Sequence, residues 1–155
     1  MAQHLRILRL YFLLLALFTV GRLAMVRLLP YDKGHQIFSL VTLTALSTLY
    51  YGAFSRRWRG YRVSQAALLG LLIGLSAQLV IFTVTLVSYG LGFQNYFTNP
   101  RALLGPNAGP EAVPFLPALG ARSGGILANT MAATILGCLG WAMGGLLPDD
   151  RPVRK

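Results

Sequence analysis

Hydrophobic positions in this chain come in long blocks, and charged positions gather between them. An apolar run from Leu10 to Gly21 continues, less purely, to Leu29, where Pro30 ends it. A second block runs from about Gln36 to Phe54, rich in Thr and Ser, with Tyr50 and Tyr51 near its end. No charge falls between Ser64 and Asn99, and none between Ser123 and Asp149. About 20 apolar residues suffice to cross roughly 30 Å of hydrocarbon, whereas a helix of a soluble bundle keeps a polar face that these blocks lack. The pattern predicts an all-α integral membrane protein, a single membrane domain built as a four-transmembrane-helix bundle. Its helices are expected over about 10–29, 36–54, 64–90 and 123–147.

Two stretches qualify that picture. The first block has the outline of a signal peptide, with a basic start and small residues near Gly21. It lacks an A-x-A cleavage pattern, and apolar character resumes through Leu23–Val26, so a retained helix is expected. The segment 91–122 carries Pro100, Pro106, Pro110, Pro114 and Pro117 among several glycines. That proline density predicts a long Pro/Gly-rich extracytoplasmic loop between the third and fourth helices rather than regular helix. Its apolar residues, such as Tyr96, Phe97 and Val113, suit a membrane surface or a partner better than water.

Composition agrees with the blocks: of 155 residues, 55% are hydrophobic and 12% charged, and the mean hydropathy is +0.58. Soluble domains carry about 25% charged residues. The net charge of +10 would suit nucleic acid, but the basic residues sit at the ends of apolar blocks rather than along one face, which argues against nucleic acid as a partner. With four helices, Arg6, Arg9, Arg56, Arg57, Arg59, Arg62, Arg151, Arg154 and Lys155 fall on one side. Lys33, Arg101 and Arg122 fall on the other, with Arg22 and Arg27 in or near the end of the first helix. The positive-inside rule then predicts cytoplasmic termini. Twelve arginines against two lysines, with the compact size, suggest a bacterial plasma (inner) membrane.

The cluster Arg56, Arg57, Trp58, Arg59, Gly60, Tyr61, Arg62 is the topological anchor. It is expected to face lipid, its arginines on anionic headgroups and its aromatics at the interface. Small residues recur every fourth position. Ala66, Gly70 and Gly74 lie on the third helix, and Ala128, Ala132, Gly140 and Gly144 on the fourth, where Gly137 belongs to a second stripe with Gly125, Asn129 and Ala133. Such spacing lets helix backbones approach closely, within the chain or against a neighbouring subunit. At 1.5 Å per residue Arg22 lies about 18 Å beyond Leu10, and a charge that deep is a functional-site hypothesis. Thr42, Thr44, Thr83, Thr85, Asn129 and Thr130 are expected at similar depth, as a polar layer around Arg22 able to hold an anionic headgroup, a quinone oxygen or an ion. Alternatively, Arg22 snorkels and the hydroxyls bond their own helices.

Little else points to chemistry. His4 and His35 fall on opposite sides, and the lone Cys138 excludes an internal disulfide and a Cys-based metal cluster. No metalloprotease, nucleophile-elbow or phosphate-loop motif occurs, and the four acids supply no general acid–base pair. The chain is therefore expected to be no enzyme and to hold no cofactor or metal. The first expectation is a non-catalytic integral subunit that packs in or anchors a larger membrane complex, with lipids and other integral subunits, or further copies of itself, as partners. The alternatives are a small oligomeric transporter or channel component and a quinone- or lipid-binding partner of a membrane enzyme.

Overall fold

The computed structural model describes residues 2–26, 28–31, 33 and 37–146. Arg27, the turn residues Asp32, Gly34 and His35, the expected helix start at Gln36, the expected end of the last helix at Leu147 with Pro148, and the charged tail 149–155 lie outside the described residues. The described chain is all-helical, with no strand among the described residues. Its helices are α1 (Ala2–Ile7), α2 (Arg9–Met25), α3 (Leu40–Arg59), α4 (Val63–Gly90), α5 (Pro100–Leu104) and α6 (Phe115–Gly144).

Local chemistry fixes the helix ends. Leu8 donates to the His4 carbonyl at 3.1 Å and accepts from Phe12 at 3.0 Å, so the helical ladder passes from α1 into α2 with only a local break. Ser39 caps α3, its hydroxyl accepting the Thr42 N–H at 3.3 Å. Gly60, at φ 64°, ends α3 in the left-handed conformation that suits glycine. The Gln65 side chain accepts the Arg62 N–H at 2.9 Å and starts α4.

α3, α4 and α6 pack as a triangle, and α2 lies along the groove between α3 and α4. The core gathers Leu8, Tyr11, Leu15, Leu40, Leu43, Leu69, Ile73 and Ile81. Tyr11 is fully buried and donates its hydroxyl to the Ile73 carbonyl at 2.9 Å, which satisfies the polar end of an otherwise apolar contact. Most buried or half-buried Ser and Thr hydroxyls return to carbonyls of their own helices: Thr19 to Leu15, Thr44 to Leu40, Ser55 to Gly52, Thr134 to Thr130.

Among the described residues two helices, Val63–Gly90 and Phe115–Gly144, are long and apolar enough to cross a membrane. Only 39% and 17% of their most apolar stretches are buried inside the chain. The buried central helix of a soluble domain would be covered on all sides, so these two present apolar surface outward.

α6 starts at Phe115, not near Ser123 as the proline count suggests. Pro114 is its N-cap and Pro117 lies in its first turn, where the missing N–H would have no intrahelical partner anyway. The connection from Leu91 to Pro114 is correspondingly shorter, and it folds back on the bundle. Tyr96, Phe97 and Val113 are buried. The Tyr96 hydroxyl reaches the Met25 and Leu29 carbonyls at 3.1 and 2.6 Å, closing the C-terminal end of α2.

Candidate functional site

Three places hold the residues singled out in the sequence. At one end of the bundle lies the arginine cluster. Arg56 turns onto α6, with its guanidinium 4.1 Å from the centroid of the Trp141 ring and Nη1 near the Trp141 and Ala142 carbonyls at 3.4 and 3.5 Å. A cation is favoured at those last carbonyls of a helix. Trp141 Nε1 donates to the Tyr61 carbonyl at 2.7 Å, and the Tyr61 ring lies 5.5 Å from that of His4. Arg56, Tyr61 and Trp141 thus tie α3, α6 and the N-terminal helix together, while Trp58, Arg59 and Arg62 stay exposed. Arg57 is half-buried and has a partner of its own.

Along the middle run the small-residue stripes. A Cβ added at Gly70 would lie 2.6 Å from the Ala133 carbonyl oxygen, and one at Gly74 would lie 2.7 Å from the Ala133 Cβ. A Cβ at Gly137 would sit 3.0 Å from the Ala66 carbonyl oxygen. Additions at Gly52, Gly140 and Gly144 would strike Gly137, Leu49 and Ala53 backbone respectively. The seam of α6 is therefore Ala133, Gly137, Gly140 and Gly144, with α4 against its middle and α3 against its C-terminal part. Ala128 and Ala132 are exposed instead. With Gly120 and Gly124, where an added Cβ would meet nothing within 4 Å, they form an outward four-residue stripe. Leu127 and Met131 flank it, 71% and 65% exposed, and Ile135 and Leu139 continue that ridge.

At the other end the polar layer does not converge. Thr42, Thr83 and Asn129 are exposed, Thr44 bonds its own helix, and the buried Thr130 hydroxyl has no hydrogen-bond partner. Arg22 sits in the last turn of α2, its guanidinium 5.3 Å from the Phe97 ring centroid and 5.9 Å from that of Tyr96. Nη1 makes a long bond of 3.4 Å to the Phe38 carbonyl, and the buried Nε has no acceptor among the described residues. Of the expected layer only Thr85 meets a guanidinium, and that guanidinium belongs to Arg122.

The proline pattern makes Arg122 a loop charge; with α6 starting at Phe115 it points into the bundle instead. Nε donates to the Thr85 hydroxyl at 3.2 Å, Nη1 to the Ala102 carbonyl at 3.3 Å and Nη2 to the Phe97 carbonyl at 2.6 Å. Asn95 braces the same turn, donating to the Ser88 hydroxyl at 2.6 Å and accepting from the Phe97 N–H at 2.8 Å.

Comparison with protein-family models, with curated proteins and with solved structures gives no match. The chemistry of the three places has to be read from their own residues. Among the described residues no three His, Cys, Asp or Glu side chains cluster as a metal site. The remaining features are a helix seam closed by glycine, an outward stripe open to contact, and two neighbouring guanidiniums at the loop end.

Proposed function

We propose that this chain is a non-catalytic integral membrane subunit that crosses a bacterial plasma membrane four times and packs against, or anchors, another membrane protein. In this reading the termini and the Arg56–Arg62 loop face the cytoplasm, and the loop 91–114 faces the other side. The observation that carries it is the outward stripe Gly120, Gly124, Ala128 and Ala132 beside the exposed ridge Leu127, Met131, Ile135 and Leu139. Lipid tails cover any apolar surface, but a small-residue furrow beside an apolar ridge suits a second helix at close range. α6 spends a separate set of small residues on its own bundle, so the outward set is free for a neighbour. The transporter reading has less support, because Thr42, Thr83 and Asn129 face outward and line no common path.

Native mass spectrometry of the full chain, gently solubilised from its own membranes, tests the reading. The expected result is a complex with a different integral membrane chain that is lost in Ala132→Trp and retained in Thr83→Trp. A monomer for the unsubstituted chain would contradict it, as would a complex indifferent to Ala132→Trp.

A further inference from the structure

Arg22 and Arg122 come together around a single residue. The Arg122 Nη2 holds the Phe97 carbonyl at 2.6 Å while the Arg22 guanidinium lies 5.3 Å from the Phe97 ring centroid. Two like charges are thereby gathered around Phe97. The one acid described, Glu111, is exposed, and neither arginine has an ion pair with a carboxylate among the described residues. The two differ in how they are used. Arg122 spends all three nitrogens on protein acceptors and so has a structural task. Among the described residues Arg22 spends one nitrogen on a long bond and leaves Nε without an acceptor. That edge of the guanidinium is the two-pronged donor that fits a phosphate or carboxylate, and a buried donor without an acceptor is costly.

The depth of the pair indicates which anion it meets. His4 lies beside Tyr61 at the arginine-cluster end, and from there to Arg22 the helix rises about 27 Å at 1.5 Å per residue. From Val63 to Thr85, the partner of Arg122, α4 rises about 33 Å. Both rulers end near the far boundary of a hydrocarbon layer of roughly 30 Å, just below the headgroup layer that holds the lipid phosphates and within reach of a long arginine side chain. The Tyr96 ring lies 5.9 Å from the Arg22 guanidinium, and the Tyr31 ring lies 5.7 Å from that of Tyr96.

We propose that Arg22, with Arg122 beside it, forms a phosphate-binding site at the loop end of the bundle, occupied by the phosphodiester of a lipid headgroup. The lipid source rests on the membrane reading above; the phosphate chemistry rests on the arginines alone. Arg22 supplies the donor edge, and Arg122 adds field while holding the 95–102 turn in place.

The test uses the full chain in a neutral detergent, with Arg57→Gln, Arg59→Gln and Arg62→Gln introduced to silence the basic cluster at the opposite end. Binding is measured by native mass spectrometry and thermal shift with phosphatidylglycerol, with diacylglycerol of the same chains, and with inorganic phosphate. The expected result is binding of phosphatidylglycerol over diacylglycerol, weakened at least about tenfold by Arg22→Gln, the loss expected for one charge-assisted hydrogen bond. Inorganic phosphate that competes equally well would keep the anion site and move its occupant to solution. Equal binding of the two lipids, or unchanged phosphatidylglycerol binding in Arg22→Gln, would overturn the proposal. Should Arg22→Gln not fold, Arg22→Lys keeps the charge without the two-pronged edge, and undiminished affinity there would overturn it equally. A chain that stays monodisperse without detergent would defeat the membrane reading, and the inorganic phosphate measurement would still judge the arginines.

Discussion

Glycine and arginine set the character of this molecule at the scale of single residues. Gly140 lies where any Cβ would meet the Leu49 backbone, and a backbone obstacle cannot rotate away as a side chain does. Gly140→Val should therefore destabilise the protein by about 2–3 kcal/mol, toward the upper end for overpacked cores. Gly124→Ala, with nothing within 4 Å, should be neutral or stabilising by up to about 1 kcal/mol. Reversible unfolding of both variants in mixed detergent checks the contrast, and equal effects would mean that the seam is not where α6 meets α3. Arg122 is the second such residue. Arg122→Met leaves the Phe97 and Ala102 carbonyls without their donor, and an unsatisfied buried group costs about 1–3 kcal/mol. Hydrogen exchange should then speed up at least about tenfold over 95–104, given 1.4 kcal/mol per factor of ten, with residues 133–144 unchanged. Equal acceleration in both regions would make Arg122 a general core residue rather than the anchor of the loop.

At the scale of elements, the blocks of apolar residues marked most of the helices, because a charge-free block of that length has few other places to go. The stripe on α6 was only half legible. At 3.6 residues per turn, each four-residue step advances about 40° around the helix, so Ala128 to Gly144 sweeps about 160°. Over its full length the stripe from Ala128 to Gly144 drifts far enough that its C-terminal end reaches α3 while Ala128 and Ala132 face outward beside Gly124 and Gly120. The actual seam alternates steps of four and three through Ala133, Gly137, Gly140 and Gly144, which stays on one side. Phe115–Arg122 was hidden by Pro117, whose position in a first turn costs no hydrogen bond. The place of Arg22 followed from Tyr96 and Phe97 folding back from the loop, a contact between distant segments that no local pattern announces. A run of arginines between apolar blocks predicts a lipid-facing Arg56, and its position in the last turn of α3, opposite the end of α6, brings it to Trp141 instead.

The whole molecule has two unlike ends and a middle that is closed on one side. At one end Arg56, Trp141 and Tyr61 fasten the helices; at the other Arg122, Asn95 and Tyr96 fold the loop onto them. Between the ends, α6 turns glycine inward and leaves an apolar ridge and a small-residue furrow outside. In the proposed function this outer face meets another protein rather than lipid alone. A photo-reactive residue placed at Ala132, and separately at Thr83, in protein held in its own membranes distinguishes the two. Irradiation is predicted to join position 132 to a different integral membrane chain, with position 83 giving lipid adducts. Lipid adducts alone at position 132, or a cross-link to a second copy of this chain, would contradict it.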